Sequence, residues 1–142
     1  EFFDVPRSIV RPKPYQWPRP RLMSGMWSEK GLRRTALHYD LWNPGSMPIS
    51  QAVEIVARMN EMRPAEMAPL NVIYRAALQS TAGKILTVEE IADRTVEAAE
   101  AGFEAVIVEA NFCSTITSRQ DWLEIVTSLR PVLEAAEKAC RP

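Results

Sequence analysis

The chemistry open to this chain concentrates in two short segments, each of which closes an apolar run. Ser24-Gly25-Met26-Trp27-Ser28 follows Leu22 and Met23, and Asn43-Pro44-Gly45-Ser46 follows Leu41 and Trp42. Small residues where a strand turns into a helix leave backbone N–H groups open and let an anion approach them. Asn43 and Ser46 add a side-chain amide and a hydroxyl, donors that suit phosphate or ribityl oxygens. Ser24, Gly25, Met26, Asn43, Gly45 and Ser46 are therefore the candidate ligand contacts. Trp42, at the end of a strand beside the second segment, is the tryptophan placed to touch a ligand. Ordinary tight turns would use the same residues, and that reading stays open.

The remaining reactive side chains carry less. Gln79 and Lys84 fall in a polar stretch, 79–86, where Lys84 is either a phosphate partner or a solvated loop lysine. Glu109 and Asn111 follow an apolar run, and a Glu there could shuttle a proton, although no second carboxylate or base is placed with it. His38, the single histidine, reads as structural. Trp17, Trp27 and Trp122 read as core or interface. One histidine does not assemble a Ser-His-Asp set, no metal-type spacing exists, and catalytic residues are not assignable. Cys113 and Cys140 lack partners at disulfide or metal spacing, which fits a reduced, cytoplasmic setting.

The elements that must position these groups follow from periodicity and capping. Ser28 is a helix N-cap, with a short helix over 31–37 and a short strand over 38–42. Ser50 is the expected N-cap of the next helix, which carries Ala52, Val56, Met59 and Arg63 on one face and ends at Pro64. The β-branched run from Leu70 to Leu78 predicts a strand. Thr87 and Glu90 form a capping box, opening a helix that runs to Ala101 with Gly102 as its C′ residue. Ala105-Val106-Ile107-Val108 has no alternation, which predicts a strand buried on both faces. Ser118 and Asp121 cap the last helix, and Pro131 should kink or break it.

The order is then β, α four times over, which implies parallel strands. Residues 21–142 form about four βα units; residues 1–20, with five prolines among Arg7, Arg11, Lys13, Tyr15, Trp17 and Arg19, form an extended arm. A net charge of −1 over 142 residues argues against nucleic acid or an anionic membrane as partner, and the arm is more simply a segment lying on the protein than an interaction module. No apolar run reaches the ~20 residues a membrane span needs. A complete barrel needs eight units and ~250 residues. The chain starts Glu1-Phe2-Phe3, which reads as mid-sequence, so either a preceding half is missing or two copies pair.

Three segments resemble the C-terminal half of the bacterial luciferase-like monooxygenase superfamily, especially its deazaflavin-dependent branch. Phe3-Asp4-Val5-Pro6 through Arg11-Pro12-Lys13-Pro14, then Pro18 to Gly25, is similar to the family's proline-rich arm leading into a strand that ends in Gly-Gly. Gly31-Leu32-Arg33-Arg34-Thr35-Ala36, then Tyr39-Asp40-Leu41-Trp42-Asn43-Pro44, is similar to its "ALRRAAR-ADGW-P". Thr87-Val88-Glu89-Glu90-Ile91-Ala92-Asp93-Arg94 through Gly102, then Ala105 to Val108, is similar to its "TPEEIADRL-EYAEAG" helix and last barrel strand. The resemblance implies an α/β fold, the C-terminal half of a TIM-like barrel. It also implies FMN or the deazaflavin coenzyme F-420 at the C-terminal ends of the strands, and hydride transfer to or from a small organic substrate. Two departures stand out: Ser24 replaces the first Gly of Gly-Gly, and Leu41 the Gly of "ADGW". A non-catalytic half-barrel that dimerises, with or without cofactor, is the alternative.

Overall fold

The computed structural model describes residues 12–13, 15–16, 19–80, 82–111 and 113–139; most of the expected arm, 1–20, lies outside them. Four parallel strands form one sheet in the order β1-β2-β3-β4: β1 (Met23–Ser24), β2 (Leu41–Trp42), β3 (Asn71–Ala77) and β4 (Ala105–Glu109). Between and after them run α1 (Glu29–His38), α2 (Ile49–Glu61), α3 (Val88–Glu100), α4 (Arg119–Ser128) and α5 (Arg130–Ala139). The register pairs Met23 with Leu41, Leu41 with Asn71, and Ile73 with Ala105. Neighbours in sequence are neighbours in the sheet, as short connections between parallel strands favour.

Local capping explains most helix starts. Ser28 Oγ accepts from Gly31 N–H, and Thr87 with Glu90 and Ser118 with Asp121 close reciprocal capping boxes. Gly102, at φ +76°, follows the α3 C-cap Ala101 in the left-handed geometry expected of it. The last helical stretch breaks at Leu129, just before Pro131, into α4 and α5; proline lacks the N–H that would continue the ladder.

Three expectations about the helices and the strand between them change. Ser50 is not the N-cap of α2: Pro48 holds that position with no side-chain cap, and the helix starts at Ile49. A proline there has its φ already fixed and gives up a donor that a helix start leaves unpaired anyway. His38 ends α1 instead of beginning a strand, and β2 is only two residues long. Arg63 lies beyond α2. Its guanidinium donates to the carbonyls of Ala36, Tyr39 and Ala68, and so holds the C-terminal end of α1.

The core lies between the sheet and the helices. Trp42, Val72, Tyr74 and Ala76 are buried there against Leu32, Ala36, Met59, Ile91 and Ala98. Alternate strand residues point to the other face. On β3, Ile73, Arg75 and Ala77 are only partly buried, and on β4 Ala105 and Ile107 are exposed. β4 is therefore not buried on both faces: among the described residues the helices cover one face, and Ile107 is 45% exposed on the other.

The N-terminal edge of the sheet is tied by charge. Arg19 pairs with Asp40 and Arg21 with Glu104, each by two contacts; Leu22 N–H donates to Asp40 and the Asn71 amide to Glu104. Arg19 above all holds the Asp40 carboxyl below its ordinary range, and Arg21 and then Asn71 do the same for Glu104.

Candidate functional site

Parallel α/β sheets place ligands beyond the C-terminal ends of their strands, where the strand-to-helix loops converge. Here a cleft of about 410 Å³ opens at that end of β3 and β4. Its floor is the uncovered sheet face: Arg75 and Ala77 from β3, and Glu109 from β4. Its rim comes from three loops, with Ser46 after β2, Gln79 and Ser80 after β3, and Cys113 and Ser114 after β4.

Each rim loop is fixed by a bond that the sequence encodes locally or across the sheet. Tyr74, buried between β3 and the helices, sends its hydroxyl to the Met47 carbonyl and so anchors the loop that carries Ser46; burial also raises its ionisation above the ordinary tyrosine range. Gln79 accepts from Ser114 N–H at 2.7 Å and donates to the Gly83 carbonyl at 3.1 Å, joining the loops after β3 and β4. Gln79 forms an antiparallel bridge with Ile85, and Ser80 N–H donates to the Lys84 carbonyl, which draws the two sides of the polar stretch together.

Arg75 and Glu109 are the charged pair of the cleft. Arg75 Nε lies 3.1 Å from Glu109 Oε2. The ε N–H is nonetheless not aligned for a hydrogen bond with any acceptor among the described residues, although the atom is buried. The contact is one of charge and not of directed bonding, and an unmade bond at a buried donor costs about 1–3 kcal/mol. The Glu109 side chain is mostly buried, whereas the Arg75 side chain as a whole is 39% exposed.

The sequence candidates divide. Ser46 lines the cleft, and Gly45 lies beside it: an added Cβ would sit 3.2 Å from Arg75 Nη2. Gly45 N–H is already taken by Asn43 Oδ1, at 2.8 Å. Ser24 turns toward α1, 3% exposed, with its Oγ 2.7 Å from Thr35 Oγ1 and accepting from Met26 N–H. The Ser24 side chain thus points away from the cleft. The Trp42 side chain is fully buried in the helix-side core, and its indole N–H donates to the Met26 carbonyl. Trp42 thereby places the 25–28 loop without presenting any surface to a ligand there. Gly25 is exposed and does not line the cleft.

Of the secondary candidates, Gln79 and Glu109 line the cleft. Lys84 pairs with Glu90 at the start of α3, and Asn111 is exposed outside the cleft. Exposed His38 lies at the helix-to-strand side. Arg75 escaped notice in the sequence, yet it left a signal. A lone arginine in a β-branched run faces the costs of burial unless a carboxylate meets it, and strand alternation puts it on the face opposite Tyr74.

The opposite end of the sheet also has a depression, but Arg19, Arg21 and Arg63 there are each engaged by a carboxylate or by carbonyls. Among the described residues no group of His, Cys, Asp and Glu could hold a metal ion, and no helix is long and apolar enough to cross a membrane. Compared with known proteins, the chain matches no family model and no curated sequence.

Proposed function

We propose that the chain supplies the C-terminal half of a luciferase-like oxidoreductase barrel, acting on a small organic substrate with a flavin or with the deazaflavin coenzyme F-420. The observation that carries this reading is the uncovered sheet face ending in a polar cleft. Four parallel strands with helices on one side only leave an inner face that further strands would complete, and the cleft lies where barrel enzymes collect their sites. The segments 24–26 and 43–46 fit a phosphate cradle only in part, since Met26 N–H and Gly45 N–H are bonded within their own loops. The donors the cleft offers a cofactor or substrate include the Ser46 and Ser114 hydroxyls and the Arg75 guanidinium. A bound flavin or deazaflavin supplies the hydride chemistry itself; this chain's residues bind and orient.

The test is a fluorescence titration of the chain with F-420 and, in parallel, with FMN, using AMP as a phosphate-bearing control. The expected result is saturable binding of one of the two, tighter than that of AMP. Binding of neither at millimolar concentration would overturn cofactor binding by this chain.

A second reading has its own observation in favour. Both sheet edges are unpaired among the described strands. Exposed apolar residues gather by them, Met23 and Trp27 at β1, and Leu133, 66% exposed, in the helix layer beside β4. Two copies related by a two-fold axis along the barrel would pair β4 of each with β1 of the other and close eight strands. Sedimentation equilibrium decides it: a stable dimer supports closure by a second copy, and a monomer at high concentration refutes it.

A further inference from the structure

We infer that the Arg75 guanidinium is an oxyanion-binding group, and that the cleft takes a ligand carrying a phosphate or carboxylate there. The inference deepens the binding role proposed above but stands on the geometry of the cleft alone. Arg75 rises from the middle of β3, so a strand fixes its backbone. Its shortest contact with Glu109 is at Nε, and its two terminal nitrogens donate no hydrogen bond among those found between the described residues. A planar guanidinium offers parallel N–H bonds to a carboxylate or phosphate along a free edge. The terminal nitrogens lie toward Gly45, whose neighbour Ser46 brings a hydroxyl to the same cleft, and Ser114 brings another from the facing loop.

Glu109 limits as well as positions. Its charge lies against the guanidinium and opposes any incoming anion, so the cleft is electrically near neutral and suited to a weakly held, exchangeable ligand. By contrast, Arg19 and Arg21 at the other end of the sheet are clamped by two contacts each to Asp40 and Glu104. Arg75 is set up differently: one misaligned contact, one open edge, and a cavity in front of it.

Trp27 serves as a reporter, because its ring packs on Gly45 beside the guanidinium. The experiment titrates the chain with inorganic phosphate and, separately, with acetate, at constant ionic strength and with chloride as control, following tryptophan fluorescence. Phosphate should give a saturable change that chloride does not. R75Q should weaken it at least tenfold, R75K severalfold through loss of the planar fork, and E109Q should tighten it about fivefold, equivalent to roughly 1 kcal/mol of relieved repulsion. Circular dichroism and the melting temperature of each variant separate a lost site from a lost fold.

Competition separates the two sources of the oxyanion. If FMN or F-420 binding weakens as phosphate rises, the group at Arg75 is the cofactor's phosphate. If cofactor and phosphate bind together, or phosphate binds where neither cofactor does, it belongs to a separate substrate. That last outcome would sink the cofactor reading and leave the anion site standing. Unchanged phosphate binding in folded R75Q, or no saturable binding by the wild-type chain, overturns the inference.

Discussion

Gly45→Ala tests whether the loop that borders the cleft is held as tightly as its geometry implies. Gly45 adopts φ +67°, where an L-residue is disfavoured by about 1–2 kcal/mol. An added Cβ would also lie 2.7 Å from Trp27 Cζ2, inside any real contact distance, and 3.2 Å from Arg75 Nη2. Overpacking costs about 1–3 kcal/mol. Trp27 is 57% exposed, so its ring can swing outward and the clash belongs at the low end, about 1 kcal/mol. The sum is about 2–3 kcal/mol, which for a chain of this size lowers the melting temperature by roughly 6–10 °C. The assay is urea unfolding of wild type, G45A, W27A and W27A/G45A as a double-mutant cycle. Removing the ring should relieve the clash and leave the backbone strain, so G45A should cost about 1 kcal/mol less in the W27A background. A cost within ~0.5 kcal/mol of zero in wild type would refute the strained turn. An equal cost in both backgrounds would refute the contact with Trp27.

Three other contacts can be tested in the same way. Thr35→Val removes the hydroxyl that sits 2.7 Å from buried Ser24 Oγ; it should destabilise by about 1–2 kcal/mol in urea unfolding, and a neutral result would mean the Ser24–Thr35 pair contributes nothing net. Asp40 and Glu104 are both held below their ordinary values by Arg19 and Arg21. For a depressed carboxylate the stabilisation is present above its unfolded value, near pH 4, and is lost as pH falls through the folded one. The melting temperature should therefore hold from pH 7 to about 5 and fall below that, with a shallower acid slope in the D40N/E104Q double variant. The same slope in both proteins would show that these pairs are not its source. Ile107→Lys, on the uncovered sheet face, should leave monomer stability within about 0.5 kcal/mol and abolish any self-association seen by sedimentation velocity; a dimer that survives the substitution uses another surface.

What could be read in the sequence was what neighbouring residues decide among themselves. Thr87 with Glu90 and Ser118 with Asp121 are three apart, so their reciprocal caps form wherever the chain goes. Gly102 and Pro131 act on their own backbone. Ser50 failed as a cap because Pro48 had already fixed the chain's entry angle two residues earlier. The site was legible only in part, and for a different reason. Of the residues singled out, Ser46, Gln79 and Glu109 line the cleft, whereas the Trp42 and Ser24 side chains are buried on the helix side. Which face of a two-residue strand looks inward cannot be told from two residues. Arg75 gains its meaning from Glu109, a whole βα unit away, and pattern along the chain does not show that pairing.

The β4 segment carries the argument one step further. Its unbroken apolar run implied cover on both faces, yet the helices cover only the side of Val106 and Val108. An apolar run records what a strand is suited to bury, and the excess over what is buried here lies on one face, at Ala105 and Ile107. Along that same face the character changes toward the C-terminal end, from Ile73 to Arg75 on β3 and from Ile107 to Glu109 on β4. A face wholly closed by other strands would have no use for an exposed arginine at its end. Apolar in the middle and charged at the rim, it is compatible with the inner face of half a βα barrel, and the proposed function draws on that division along two adjacent strands.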